Sequence, residues 1–259
     1  MTIETIEHIL AEAEALGTIR WIYFEGGEAF LYYRVLLSGI RKAKARGFNV
    51  GIVTNAYWAT ADMDAEEWLR PLAGLVDDLS ISSDGYHGSD TGVNHAEIAG
   101  RAAKRLEIPV DFVTVAEPDV SDVPLGEAAV TFRGRAAELL APFVTTTRWE
   151  QFSRCPWEEL QNPVRVHVDP FGHLHICQGI SIGNILERSL AEVMADYDPV
   201  GHPIVGPLLA GGPAELVRRY ALQHDEGYAD HCHLCYESRR ALRQRFPDEL
   251  APDQMYGSA

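Results

Sequence analysis

Four short apolar runs, IRWIYF from residue 19, VGIVT from 50, DLSIS from 78 and VDFVTV from 110, are each followed by turn residues and then by helical apolar spacing. Near-continuous apolar strands alternating with amphipathic helices restrict this part of the chain to βαβ units, and so to a parallel sheet covered on both faces. The intervening helices carry matching stripes. Leu31, Val35, Leu36, Ile40 and Ala43 share one face ending at Gly47, and Asp62 or Asp64 is placed to cap the next helix. Ahead of the first run, Ile3, Ile6, Ile9, Leu10, Ala13 and Leu16 recur at helical spacing on an acidic segment that stops at Gly17. The aromatic run Trp21, Tyr23, Phe24 reads as core. A first strand is expected upstream of the opening helix, because in a parallel α/β fold that helix should follow one.

The pattern changes in the second half. AVTF at 129–132 reads as a fifth strand leading into GRAAELL. Residues 165–177, RVHVDPFGHLHIC, alternate about the turn Asp169, Pro170, Phe171, Gly172 and predict a β-hairpin. Residues 198–213 are rich in Gly and Pro and read as ordered loop or linker, followed by a helix from Pro213 to about His224. The tail, DHCHLCYESRRALRQRF, places a cysteine pair just before a basic helix. The expected organisation is an α/β domain at 1–144 and a small cysteine-rich hairpin and helix module at 145–259.

Composition limits the partners. With 38 acidic against 22 basic side chains the net charge is -16, so the summed field repels nucleic acid and anionic membrane surfaces. No stretch reaches the roughly 20 apolar residues of a membrane span. The acidic, amphipathic start is unlike a signal or transit peptide, and a cytoplasmic protein is expected. All four cysteines, Cys155, Cys177, Cys232 and Cys235, fall in the second half, which without a secretion signal argues metal or redox chemistry over disulfides.

Polar residues gather at the strand ends. Gly26, Gly27 and Glu28 follow the first run, Thr54 and Asn55 the second, and Ser82, Ser83 and Asp84 the third. Ligands of α/β sheets bind at that rim, glycines admit a ligand close to the backbone, and a carboxylate can hold an ammonium group. Any one of these is equally explained as a turn or a helix cap. Three successive strands ending this way favour a shared pocket.

The order FEGGEAFL, GFNVGIVTNA, LSISSDGYHG resembles the radical S-adenosylmethionine (radical SAM) enzymes over roughly residues 1–140. The resemblance implies a partial (β/α)6 TIM-like barrel whose first strand is missing here. It implies that Gly26, Gly27 and Glu28 hold the amino group of SAM, and that Ser82, Ser83 and Asp84 sit where the ribose is contacted. Thr54 and Asn55 match the family's TN. Ala29 stands where the family most often has proline. Arg133 and Arg135 follow the fifth run, where an arginine pairs with the SAM carboxylate; a surface ion pair explains them equally. The large departure is the C-x3-C-x2-C motif that binds the SAM-cleaving 4Fe-4S cluster, for no cysteine precedes Cys155. Because the absent strand and absent motif form one block, an upstream segment carrying both is favoured over a degenerate relative.

Cys155, Cys177 and the pair Cys232 and Cys235, with a hairpin ending in cysteine and a C-x2-C beside a helix, are similar to the SPASM and twitch extensions of radical SAM enzymes. That similarity implies an auxiliary 4Fe-4S cluster. Four thiolates serve structural zinc equally well, with His231 and His233 as substitutes, though the spacing is not the paired knuckle of zinc ribbons and favours iron-sulfur. His87 reads as a turn histidine; His167, His173 and His175 alternate as on a metal-binding strand, though one outward face of the hairpin explains them more simply. The functional expectation is radical modification of a peptide or small-molecule substrate, with electrons from a flavodoxin or ferredoxin. The alternatives are a catalytically inactive barrel with structural zinc or iron-sulfur acting as a binding module, and an ordinary β/α enzyme with a zinc-stabilised tail.

Overall fold

The acidic opening segment forms helix α1 (Ile3–Leu16), where the Thr2 hydroxyl accepts the Thr5 N–H at 3.1 Å and Gly17 ends the helix in the left-handed region. An N-cap of this kind is worth about 1 kcal/mol. The structure, a computed structural model, describes residues 1–83, 94–115, 127–128 and 131–257. It divides into two compact units, Thr2–Ala129 and Val130–Ala259.

In the first unit the four runs become β1 (Trp21–Phe24), β2 (Asn49–Thr54), β3 (Asp78–Ser82) and β4 (Val110–Val115), joined by α2 (Tyr33–Ala45), α3 (Asp62–Leu69) and α4 (His95–Arg105). The strands are parallel neighbours in chain order, extended by the two residues of β5 (Glu127–Ala128). The chain therefore has an α/β fold, and among the described residues its sheet stays open, without closing into a barrel. Apolar side chains on the helices and the inner strands make one core: Leu10 of α1, Ile40 of α2, Ile52 of β2 and Leu79 of β3 are fully buried in it.

Several expectations need correction. Trp21 and Tyr23 are 42% and 44% exposed rather than core, because they alternate onto the face of β1 opposite to Ile22 and Phe24, which pack against the helical core. Tyr23 lays its ring over Gly51 of β2 and donates its hydroxyl to Asp78 Oδ2 on β3 at 3.0 Å. Leu31 is exposed and precedes α2. The N-cap of α3 is Ala61, not Asp62 or Asp64. Asp62 instead accepts from Arg101 and Arg105 of α4 at 3.2 and 2.8 Å, and these hydrogen bonds hold its carboxyl down at about 2. The fifth strand lies at Glu127–Ala128; Thr131 and Phe132 are outside it, and residues 129–130 fall outside the described set.

The second unit begins with α5 (Arg135–Leu139) and β6 (Thr147–Arg148), then the antiparallel meander β7 (His167–Val168), β8 (His173–Cys177) and β9 (Ile180–Asn184). The hairpin expected at 165–177 is present, with β9 as an added third strand. After it come α6 (Leu190–Asp196), opened by a reciprocal Ser189 and Glu192 capping box, α7 (Val205–Tyr220), β10 (Gly227–Tyr228), which pairs back on β6, and α8 (His231–Leu242).

The stretch expected to be a linker is helical from Val205. Helix α7 runs through it with a kink at Gly211 and Gly212, and Pro213 restarts the helix in the one place a helix tolerates proline, its first turn. Ile176, Ile180, Ile204, Leu208, Leu216 and Leu242 form the core of this unit. Among the described residues no helix is long and apolar enough to cross a membrane.

Candidate functional site

The parallel registers Phe24 with Ile52, Thr54 with Ile81 and Ser82 with Val113 bring the C-terminal ends of β1, β2 and β3 to one rim of the first unit. Glu28 organises that rim. Its Oε1 accepts from Phe30 N–H at 3.0 Å and from the Thr54 hydroxyl at 2.8 Å, while Oε2 accepts Asn55 N–H at 2.8 Å. Thr54, 2% exposed, also accepts from Ala56 N–H and Trp58 Nε1. Three of the roughly four acceptor sites of a carboxylate are thus taken by the chain itself. The turn before it is open: Gly26 adopts φ +142°, which side-chain-bearing residues rarely take, and a Cβ on Gly26 or Gly27 would meet nothing within 4 Å. Ser83 N–H donates to Val113 O at 3.0 Å. Asp84 and His87 lie outside the described residues.

In the second unit, distant parts of the sequence converge. Cys232 and Cys235 sit within the first five residues of α8, not before it, and Asp230 caps that helix by accepting His233 N–H at 2.7 Å. Their i, i+3 spacing puts both on one face. Cys177 ends β8. Cys155 is carried by a loop packed against the α7 kink, where Ala214 N–H donates to Phe152 O at 3.1 Å. Gly212, at φ +65°, allows that approach, since a Cβ there would lie 2.1 Å from Arg154 N.

All four cysteines line a single cavity of about 220 Å³, together with Arg133, Arg239 and His231. Space on the order of 10–15 Å³ suffices for one water, so this cavity suits a group much larger than a single ion. A zinc ion bound to four sulfurs at about 2.3 Å would require them about 3.8 Å apart at the corners of a tetrahedron. Among the described residues only Asp169, His173 and His175 bring three ligand atoms within 4.8 Å of one another, and the cysteines do not reach that spacing. A thiol set this wide has the donor chemistry and the room for an iron-sulfur cluster.

The electrostatics fit an anionic occupant. Burial pushes the thiols of Cys177, Cys232 and Cys235 up, Cys235 to about 11, while Arg239 draws Cys177 and Cys235 back down. A binding cation would displace those protons, because the thiolate is the ligand. Arg239 is 2% exposed. It donates to Gln178 O at 2.7 Å, to the Tyr256 hydroxyl at 3.2 Å and through Nε to Cys235 O at 3.3 Å. Among the described residues no carboxylate lies within ion-pair distance of it, although Glu158, itself paired with Arg165 at 3.4 Å, also lines the cavity. Arg133 Nη1 approaches Cys177 Sγ at 3.9 Å.

No protein-family model matches the chain. Over 85 residues, 32% of its length, the chain is 31% identical to YydG of Bacillus subtilis (strain 168), whose name assigns it provisionally to peptide biosynthesis. That stretch is 27% of the relative, so the match spans about a quarter of the relative's length.

The remaining expected residues divide. His231 lines the cavity. His233 does not: its Nδ1 accepts Ala229 N–H at 3.2 Å and its ring packs edge-on against Tyr228. Arg135 belongs to the second unit, where it lines a neighbouring cavity of about 320 Å³ with Arg133, Arg239, Gln178 and Tyr236. Sequence reasoning missed Arg239. Its signal was the i, i+4 spacing from Cys235 on a helix, hidden in a basic run that reads as a solvated face.

Proposed function

We propose that this chain is a radical SAM-type protein that modifies a peptide, and that Cys155, Cys177, Cys232 and Cys235 hold an auxiliary 4Fe-4S cluster. The observation that carries this reading is the convergence of four cysteines from distant sequence positions on one cavity that also holds the buried Arg239, with no three of their sulfurs within 4.8 Å of one another. The sequence likeness to a protein named for peptide biosynthesis supports a peptide as substrate. In this reading the first unit is a partial β/α barrel, and the second unit is a SPASM- or twitch-like module.

Each residue then has a task. The open backbone at Gly26 and Gly27, with the remaining acceptor of Glu28, holds the ammonium group of SAM. Thr54 and Asn55 fix the Glu28 carboxylate so that this acceptor keeps its direction. Ser82, Ser83 and Asp84 serve the ribose. The apolar lining by Ile180 and Leu208 excludes water from the cysteines, and Arg239 and Arg133 offset the negative charge gathered there. When bound, the auxiliary cluster would supply electron transfer; reductive cleavage of SAM would need a further 4Fe-4S cluster, for which these four cysteines leave no thiolate. A soluble electron carrier and a cytoplasmic setting complete the proposal.

A second reading has one observation in its favour. Glu28 already accepts three internal hydrogen bonds, as in a barrel that keeps the turn for structure and acts as a binding module around a metal. Anaerobic reconstitution of the full chain with iron and sulfide, followed by calorimetric titration with SAM, separates the two. Uptake of about four irons per chain, the content of a 4Fe-4S cluster, together with saturable SAM binding, is the result expected of the enzyme. Loaded protein that gives no heat with SAM supports the binding module, and a colourless zinc product contradicts the auxiliary cluster.

A further inference from the structure

The β7–β8 turn brings one carboxylate and two imidazoles together. Asp169 is 5% exposed and His175 1%, while the His173 side chain keeps 24% of its surface in solvent. The two carboxylate oxygens have separate tasks. Oδ1 accepts Phe171 N–H at 2.8 Å and His173 N–H at 3.0 Å, which is all that the turn requires of an aspartate. Oδ2 lies 2.9 Å from His173 Nδ1 and 3.2 Å from His175 Nε2. Two histidines aimed at one oxygen are surplus to the turn.

We propose that Asp169, His173 and His175 form a binding site for a divalent first-row transition ion of the zinc or ferrous iron class. Ligands about 2.0–2.1 Å from such an ion lie about 2.9–3.4 Å from one another, for octahedral and tetrahedral arrangements respectively. The two distances to Oδ2 fall in that range, and all three ligand atoms lie within 4.8 Å of each other. Two imidazoles and one carboxylate suit zinc or ferrous iron and leave positions open for water or a ligand.

Both rings can adopt the required tautomer. His175 Nδ1 is buried with no hydrogen-bond partner, so no donor pins the proton to Nε2 and withdraws its lone pair. The partly exposed edge of His173 gives the ion a way in. The site is distinct from the cysteine cavity, whose lining includes none of the three residues.

Cobalt(II) alone is the probe, titrated into the metal-stripped full chain under reducing conditions and followed by absorption. Cobalt at the cysteines shows intense thiolate charge-transfer bands; cobalt at Asp169, His173 and His175 shows only weaker ligand-field bands. The wild type is expected to show both classes. His173→Ala should weaken the second class at least 10-fold, since even outer-shell partners of metal ligands are worth about 10–100-fold in affinity. Asp169→Asn keeps an oxygen for the two turn hydrogen bonds while removing the charge, and should do the same with the thiolate bands unchanged. Absence of the ligand-field class from the wild type at millimolar cobalt would overturn the proposal, as would its survival at full affinity in Asp169→Asn. In a separate arm, zinc should raise the melting temperature of the wild type more than that of Asp169→Asn; equal shifts would mark Asp169 as a turn residue only.

Discussion

Arg239 shows how one side chain can report on a site. A guanidinium that is 2% exposed needs either a carboxylate or another anion, and among the described residues it has only neutral acceptors, Gln178 O, Cys235 O and the Tyr256 hydroxyl. Its guanidinium also lies 5.6 Å from the Tyr256 ring centre, so its position is fixed from several sides. If it balances cluster charge, Arg239→Gln should move the midpoint potential of the reconstituted protein to more negative values, because the reduced state carries the extra electron. A redox titration followed by EPR reads this directly, and an unchanged potential would leave Arg239 a packing residue. At this scale Glu28 was legible, since glycine pairs and a carboxylate at a strand end leave few interpretations. Arg239 was not, because burial of one arginine in a basic run depends on what the rest of the fold places against that helix face.

Among the elements, α7 carries the most weight for the cysteine cavity. Its Gly and Pro content suggested a linker, yet tertiary packing overrides local propensity, and the kink at Gly212 lets the backbone of 152–154 lie against the helix. Gly212→Ala would force a Cβ to within 2.1 Å of Arg154 N at a positive φ. Strain of that kind costs about 1–3 kcal/mol. The segment before Cys155 should shift, so thermal unfolding should come earlier and iron uptake should fall short of the wild type. An unaltered iron content would show that the kink does not position Cys155.

The α3 to α4 contact makes a pH-dependent prediction. Asp62, paired with Arg101 and Arg105, is held at about 2, below the usual aspartate value of about 3.9. Its contribution to stability is therefore present above about pH 4 and lost as pH falls through about 2. Asp62→Asn should melt below the wild type at pH 7, and the difference should close at pH 2. It should also shrink in 1 M salt, where the screening length is about 3 Å, because the pair is exposed. A difference independent of pH and salt would mean that Asp62 acts through something other than charge. The strand-turn-helix alternation marked a helix at α3, but not Arg101 and Arg105 as the partners of Asp62, since that pairing arises only when α3 and α4 pack side by side.

Across the whole molecule, the alternation of apolar runs and amphipathic stripes sufficed for a parallel α/β sheet with strands near 19–24, 50–54, 78–82 and 110–115, because period and run length are local properties. Which face is covered is not local. Trp21 and Tyr23 resemble core residues in composition, and only the packing of the helices against the Ile22 and Phe24 face of β1 leaves them exposed. The same distinction separates the hairpin, announced by its turn chemistry, from β9, whose pairing with β8 is irregular. Convergence of Cys155, Cys177, Cys232 and Cys235 on one cavity is likewise a property of the fold. The proposed function requires that cavity to hold a polynuclear cluster. Iron K-edge X-ray absorption on the anaerobically reconstituted full chain tests it most directly: the prediction is a metal-to-metal scattering shell beyond the iron-sulfur shell, lost when Cys177 is replaced by serine, and a single sulfur shell around an isolated ion would contradict it.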